Sequence, residues 1–461
     1  MNSDFRRKVR GLMLPGLKRW ILILLIGISV IVIGALLLLG YHPLTVSGMF
    51  LREIMEHAAD VLPNRISGLI VITGGGLVVC LAVAKVTLSV LGAYLPDERD
   101  SIPDVLYRRR HLQSGPRVAV IGGGTGLSTL LKGLKYFTSN ITAIVTVGDD
   151  GGSSGRLRTE LGVIPPGDIR NCITALADEE ELVTELFSYR FEQGEGLEGH
   201  SFGNLFLTAL YRITEGDFLE SVRVASRVLK SRGQVLPATL SAIQLVAELE
   251  DGRTITGESN ITSAGGKIKR LLLQAGENQA TPQALEAIME AELIVLGPGS
   301  LYTSIIPNLL VPGIAEAIRK SKAKKLYVCN VMTQRGETSN YSVADHVEAI
   351  LLHSGTPLDA GFQLVDAVLV NDQPPVVPTD YPASPVTIDQ DRLRKLAVIP
   401  IKRPLVTGDS GVHHDPARLS KIIMLWFYRA KRRKPVSKIA GSPESGKGAV
   451  EASEKVTAEK A

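Results

Sequence analysis

"RVAVIGGGTGLSTLLKGL", Arg117 to Leu134, sets a short apolar run against a glycine turn and then a stretch with helical apolar spacing. Strand, tight turn and amphipathic helix in that order open a βαβ unit. Working outward, strand-like runs recur as "ITAIVTV" (Ile141 to Val147), "LIVLG" (Leu293 to Gly297), "KLYVCNV" (Lys325 to Val331) and "AVLVN" (Ala367 to Asn371). They are continuous rather than alternating, as strands buried on both faces are. Helix-like segments such as "PQALEAIMEAE" and "VADHVEAILLHSG" separate them. The fold class predicted is α/β: a Rossmann-like, mainly parallel sheet with helices on both faces. One region departs from it. "SAIQLVAELEDGRTITGES" alternates apolar and polar residues around Asp251-Gly252, which predicts an antiparallel hairpin excursion.

Ahead of this domain the apolar content is concentrated in two places. Trp20 to Leu39 is free of charge, and Ile66 to Leu95 carries only Lys85; each reaches the ~20 residues needed to cross a bilayer. A cleaved signal peptide does not suit the first, whose apolar run is too long and lacks an Ala-x-Ala site after it. A buried core helix is the rival reading of the second. Arg6, Arg7, Lys8, Arg10, Lys18 and Arg19 precede the first span, and Arg99, Arg108, Arg109, Arg110 and Arg117 follow the second. The loop between holds Arg52 and Arg65 against Glu53, Glu56 and Asp60. That asymmetry predicts a multi-pass protein of the cell membrane, with its N-terminus and main domain in the cytoplasm.

The expected organisation is a membrane hairpin over 1–95 (spans at about 20–39 and 68–95), an Arg-rich linker over 96–116, the α/β domain over 117–433 and a disordered tail over 434–461. Just before the tail, "RLSKIIMLWFYRAKRRK" reads either as the last helix of the domain or as a helix lying on anionic lipid. Cys80, Cys172 and Cys329 are too few and too scattered for a zinc site or a disulfide framework. A net charge of +4, placed largely at the two ends, gives no reason to expect a nucleic-acid partner.

Chemistry is expected at the carboxyl ends of the strands, where loops expose backbone amides and helix N-termini. The first strand runs into Gly122, Gly123, Gly124, Thr125 and Gly126. Leu127 occupies the third-glycine position of a dinucleotide fingerprint, so this loop alone is a weak signal. The second strand ends in Asp149 and Asp150, followed by Ser153, Ser154 and Arg156. The aspartates suit a sugar hydroxyl or a divalent cation; the Gly/Ser turn and Arg156 suit phosphate. An ordinary turn with a helix cap is the plain alternative. In "PPGDIRNC", Asp168 is a candidate ligand contact, with a helix cap as the plain alternative, and Arg170 and Asn171 are candidates by position. "GHSFG" fits a serine-hydrolase elbow in spelling, but no buried strand precedes it, so Ser201 is not expected to be a nucleophile. His200 and Asn204 are the more useful candidates there. Gly297, Gly299 and Ser300 follow the third run, and Asn330 ends the fourth with "MTQRGET" behind it.

Taken in order, "GGGTGLSTLLKGLK", "ITAIVTVGDDGGSSGRLR", "PPGDIRNC", "GHSFGNL", "GES", "VLGPGSLYTSIIPNLLV", "YVCNVMTQRGETSNYS" and "DHV" resemble the gluconeogenesis-factor family, relatives of 2-phospho-L-lactate transferase of deazaflavin cofactor synthesis. The resemblance spans most of Arg117 to about Phe427. It implies a nucleotide-type ligand, a UDP-sugar such as UDP-N-acetylglucosamine. It also implies a role in cell shape and envelope synthesis during gluconeogenic growth. The glycine loop, Asp149, Asp150, Asn204 and the "GPGS" loop would inherit ligand contacts. Gly148 and Arg335 depart from the expected alanine and proline.

Three functional readings follow. The first is a membrane-anchored, non-catalytic nucleotide-sugar sensor with an envelope-synthesis partner, expected as a homo-oligomer, with no catalytic residue assigned. The second is a phospholactyl transferase that would use the aspartates to hold Mg. The third, a dinucleotide oxidoreductase, lacks a complete fingerprint and an evident acid/base pair.

Overall fold

A computed structural model describes residues 17–39, 64–94 and 110–432, except 179, 275, 277, 356–363, 378–380 and 408–410. The loop between the apolar helices, most of the linker and the expected disordered tail lie outside the described residues. The chain divides into two compact units, residues up to Arg110 and residues from His111 on.

The first unit is a helix pair, α1 (Leu17–Leu39) and α2 (Asn64–Tyr94). Both are long and apolar enough to cross a membrane. The Thr73 to Gly76 stretch does not interrupt α2; the Thr73 hydroxyl turns back to the Leu69 carbonyl (3.0 Å) instead of competing for the ladder. Glycines let the backbones meet. A Cβ on Gly34 would stand 2.9 Å from the Ile72 nitrogen, and one on Gly75 would stand 3.0 Å from the Ile31 nitrogen. Without a hydrophobic drive between helices in lipid, such close van der Waals contact is what holds a pair together.

The second unit opens with β1 (Val118–Gly122), α3 (Gly124–Leu134), β2 (Ile141–Val145), α4 (Gly152–Leu161), α5 (Gly167–Leu176), α6 (Glu180–Ser188), α7 (Phe202–Ile213), α8 (Phe218–Val228) and β3 (Gln234–Pro237). The excursion follows as β4 (Leu245–Leu249), β5 (Thr254–Thr256), α9 (Glu258–Ala264) and β6 (Ile268–Leu273). Then come α10 (Pro282–Glu290), β7 (Leu293–Leu296), a π-helical turn (Leu301–Ile305) continuing into α11 (Ile306–Leu310), α12 (Ile314–Lys320) and β8 (Lys324–Val328). The chain closes through α13 (Val343–His353), β9 (Ala367–Asn371), α14 (Gln390–Lys395), β10 (Ile399–Arg403) and α15 (Pro416–Arg432).

Seven strands form one parallel sheet in the order β10-β9-β8-β7-β1-β2-β3. Val118 on β1 stands opposite Ile141 on β2 and Leu293 on β7. The chain steps one way from β1 to β3, then restarts at β7 and steps the other way. Right-handed crossovers in opposite directions put their helices on opposite faces. The reversal makes a switch point between β1 and β7, where an open α/β sheet leaves its crevice. The antiparallel excursion is real: β5-β4-β6 form a separate sheet.

Both edge strands, β3 and β10, escape the reading of apolar runs. Each contains a proline, Pro237 or Pro400. Proline cannot donate to a ladder, so it is confined to edges, and an edge strand does not need a continuous apolar run. As for α15, its Leu419, Ile423 and Phe427 are buried, and the Pro416 carbonyl fills the space that a side chain on Gly133 of α3 would need. It is the closing helix of the domain.

Candidate functional site

The β1 and β7 loops meet at the switch point. A Cβ on Gly126 would fall 2.6 Å from the Gly299 Cα and 2.7 Å from the Pro298 carbonyl oxygen, so only glycine lets the loops touch. The Asn330 amide clamps the same loop: its Oδ1 accepts from the Gly299 N–H (3.3 Å), and its Nδ2 donates to the Gly299 carbonyl (2.9 Å). Gln334 extends the brace to the Ser300 hydroxyl (2.8 Å). Asn308 donates to the Gly122 carbonyl (3.0 Å), fixing the end of β1 from the other side.

The two adjacent aspartates do different work. Asp150 accepts from the backbone N–H groups of Glu258 (2.8 Å) and Ser259 (2.9 Å) and from the Ser259 hydroxyl (2.8 Å), so it caps α9 across more than a hundred residues of chain. Both of its carboxylate oxygens are engaged in that cap. Asp149 binds the Gly151 N–H through Oδ1 (3.0 Å). Its Oδ2 faces Gly167, where a Cβ would lie 2.6 Å from both Asp149 Oδ2 and Ser154 Oγ.

For Asp168 the helix-cap alternative does not hold. It lies in the first turn of α5 without capping it; it accepts instead from the N–H of Gly124, at the start of α3. A Cβ on Gly123 would meet Asp168 Oδ2 at 2.5 Å. Burial, then the neighbouring Asp149, raise the Asp168 carboxyl to about 7. Glu258 is pushed further, to about 9, by burial and then by Asp168, Asp149, Glu337 and Asp150. At neutral pH it holds a proton and can donate a hydrogen bond.

Beside this cluster stands a neutral polar group. The Asn204 Nδ2 donates to Ser153 Oγ (3.0 Å) and to Ser154 Oγ (3.4 Å), and Ser153 Oγ also bonds His200 Nδ1 (3.0 Å). Burial and then Arg156 hold the His200 imidazole below its ordinary value. Asn204 Oδ1, Glu258 Oε2 and, just past β2, Thr146 Oγ1 are buried with no hydrogen-bond partner among the described residues. Buried polar atoms are rarely left so, and these suit a ligand's hydroxyls and N–H groups.

Some expected residues point elsewhere. Asn171 accepts from the Arg170 guanidinium (2.7 Å), which also holds Ser201 Oγ (2.6 Å). Ser201 caps α7 and is fully buried, a helix-start serine and no elbow. Arg156 is exposed, bonded to the Glu198 carbonyl, and lines an open depression of about 750 Å³ with Asp150, Gly152 and Glu160. Thr125 is exposed in the first turn of α3. Among the described residues no three His, Cys, Asp or Glu side chains converge as metal ligands.

Glu258, Glu337, Gln334, Asn308 and Thr146 were not legible as site residues. Glu337 is buried and accepts from the Tyr302 N–H and the Thr303 hydroxyl (both 3.1 Å). One signal was available for the two glutamates: each directly follows a positive-φ glycine, Gly257 (φ 97°) or Gly336 (φ 85°).

Fold and site together define a doubly wound α/β protein with a polar loop cluster at its switch point. The family model for 2-phospho-L-lactate transferase CofD matches residues 118–406, and the chain belongs to that family. The gluconeogenesis factor of Bacillus subtilis (strain 168) is 50% identical over 315 residues, 67% of this chain and 97% of its own. That of Halalkalibacterium halodurans is 50% identical over 313 residues, 67% of this chain and 95% of its own. A Nostoc sp. relative is 49% identical over 422 residues, 90% of this chain and 91% of its own, so its match extends beyond the α/β domain. A crystal structure of a UPF0052 family member from Bacillus halodurans superposes with a TM-score of 0.63 at 48% identity, covering 68% of this chain and 99% of that one.

Proposed function

We propose that the α/β domain binds a UDP-sugar across the switch point, and that the protein acts as a membrane-anchored regulator of cell shape and envelope synthesis under gluconeogenic growth, as a homo-oligomer with an envelope-synthesis partner. The observation that carries the binding reading is the convergence of loop tips. The β1 and β7 loops touch at Gly126 and Gly299, Asp168 joins α5 to the first of them, and Asn204 ties α7 to the first turn of α4, just behind the β2 loop. Unpartnered acceptors and a protonated Glu258 match a ligand rich in hydroxyls and N–H groups. The name carried by the relatives supports the physiological side, and the apolar helix pair supports the anchor.

A second reading, a phospholactyl transferase, is favoured by the family model's description and by Asp168, which at about 7 is suited to proton transfer. Thermal shift of the protein with UDP-sugars, dinucleotides and a deazaflavin, followed by product analysis, separates the two. Stabilisation by a UDP-sugar without turnover is the expected result. Consumption of a phosphorylated donor would overturn the sensor reading; no shift with any UDP-sugar would overturn the ligand.

A further inference from the structure

We propose that the outer face of α15 is a docking surface for the headgroups of anionic lipid. The inner face is used up against α3, with Leu419, Ile423 and Phe427 buried. The outer face carries Lys421, Leu425, Tyr428, Arg429 and Arg432, all exposed, at helical spacings of three and four that put them on one stripe. Leu425 is 48% and Tyr428 47% exposed, and Trp426 is half-buried beside them. An apolar and aromatic centre flanked by long cations is the composition that settles at a membrane interface, where the stems lie along the boundary and the charges reach phosphate.

Charge complementarity names the occupant. From Pro416 to Lys434 the sequence has Lys or Arg at 418, 421, 429 and 431–434 and no Asp or Glu. An anionic leaflet attracts such a run. The carboxyl end of α15 also lies beside the start of the domain: Lys431 Nζ bonds Glu292 Oε2 (2.6 Å), while Glu292 Oε1 accepts from the Arg117 N–H (3.3 Å). Arg117 is only six residues beyond His111, where this unit begins, and Arg99, Arg108, Arg109 and Arg110 precede it in sequence. The switch-point loops occupy the opposite, carboxyl edge of the same strands. A lipid contact here leaves the ligand crevice open.

The inference deepens the membrane-anchored reading and is tested apart from it on residues 111–461. Bacillus and Halalkalibacterium relatives consist almost entirely of the corresponding domain, and one such chain has a crystal structure, so this part stands alone. The fragment is sedimented with vesicles of phosphatidylcholine alone and with vesicles that also contain phosphatidylserine. Expected are co-sedimentation with the second kind only, loss on raising salt, and weakening on the order of tenfold or more in the triple variant Lys421→Glu, Arg429→Glu, Arg432→Glu. An unchanged melting temperature shows that the variant is folded; should it not be, Leu425→Ser with Tyr428→Ser serves as the second variant and must also weaken binding. A fragment that ignores phosphatidylserine at low salt, or that takes up RNA in preference to vesicles, overturns the proposal. Alkaline extraction of the full chain from membranes tests the hairpin anchor separately, because release there leaves the vesicle result standing.

Discussion

Asp150 and Asp168 are both half-buried aspartates, one in the loop after β2 and the other in the first turn of α5, and they do different work. Asp150 accepts from two backbone N–H groups and a hydroxyl at the start of α9. Removing it leaves the start of α9 without its cap, so Asp150→Ala should cost about 1–3 kcal/mol in chemical denaturation. Asp149→Asn keeps an oxygen for the Gly151 N–H and should weaken UDP-sugar binding without lowering stability by as much; unchanged affinity in calorimetry would remove Asp149 from the site. Asp168 sits among other carboxyls, as does Glu258. The folded state holds their protons from the ordinary values of 3.8 and 4.5 up to about 7 and about 9. Across those windows the unfolded chain has already released the protons, so folding stability falls as pH rises, first to about 7 through Asp168 and on to about 9 through Glu258. Glu258→Gln should flatten the upper part of that decline and raise stability on its alkaline side by on the order of 1 kcal/mol. Urea titrations at several pH values measure it, and a wild-type profile that is flat above neutrality would contradict the protonated Glu258.

At the level of elements, what could be read from the chain was what depends on neighbours in sequence. The interior strands β1, β2, β7, β8 and β9 show as apolar runs because helices cover both their faces; the excursion β4–β5 shows as alternation around Asp251-Gly252. The edges β3 and β10 did not show, because β3 is only four residues long, β10 is largely uncovered, and Pro237 and Pro400 interrupt their apolar runs. The approach of β1 and β7 was legible only as two glycine-rich loops, with nothing to say that they touch. That contact yields a prediction for the first turn of α3. In Gly126→Ala the new Cβ collides with backbone, which has no rotamer to yield, so the loops must separate. Thermal stability should drop by about 1–3 kcal/mol and ligand-induced stabilisation should vanish. In the helix pair, Gly34→Leu places a branched side chain against the Ile72 backbone and should weaken α1–α2 association, read as increased cysteine cross-linking accessibility or proteolysis in membranes. Retained ligand response in the first variant, or undiminished pairing in the second, would show that these close contacts are tolerated.

For the whole molecule, the division at Arg110 and His111 follows from where apolar surface is buried. Among the described residues, one contiguous core runs from Val118 to Phe427, drawing on both ends of the α/β unit through β1 and α15, and it takes no member from α1 or α2. The helix pair keeps large apolar side chains such as Leu25, Leu69 and Leu77 more than half exposed, which suits lipid and not water. A unit whose core is complete by itself does not need the helices to fold, and relatives that consist of little else agree with this. The fragment from His111 to Arg432 should therefore be soluble, unfold cooperatively, and show the same melting temperature and the same UDP-sugar response as the domain within the full chain in detergent. Truncation at the other end tests the same logic from within the core. Ending the chain before Pro416 removes Leu419, Ile423 and Phe427 from α3 and opens a fully buried face, so this shorter fragment should aggregate or melt far lower. Equal stability of the two fragments would mean that α15 is an appendage, and would withdraw it from the core of the domain.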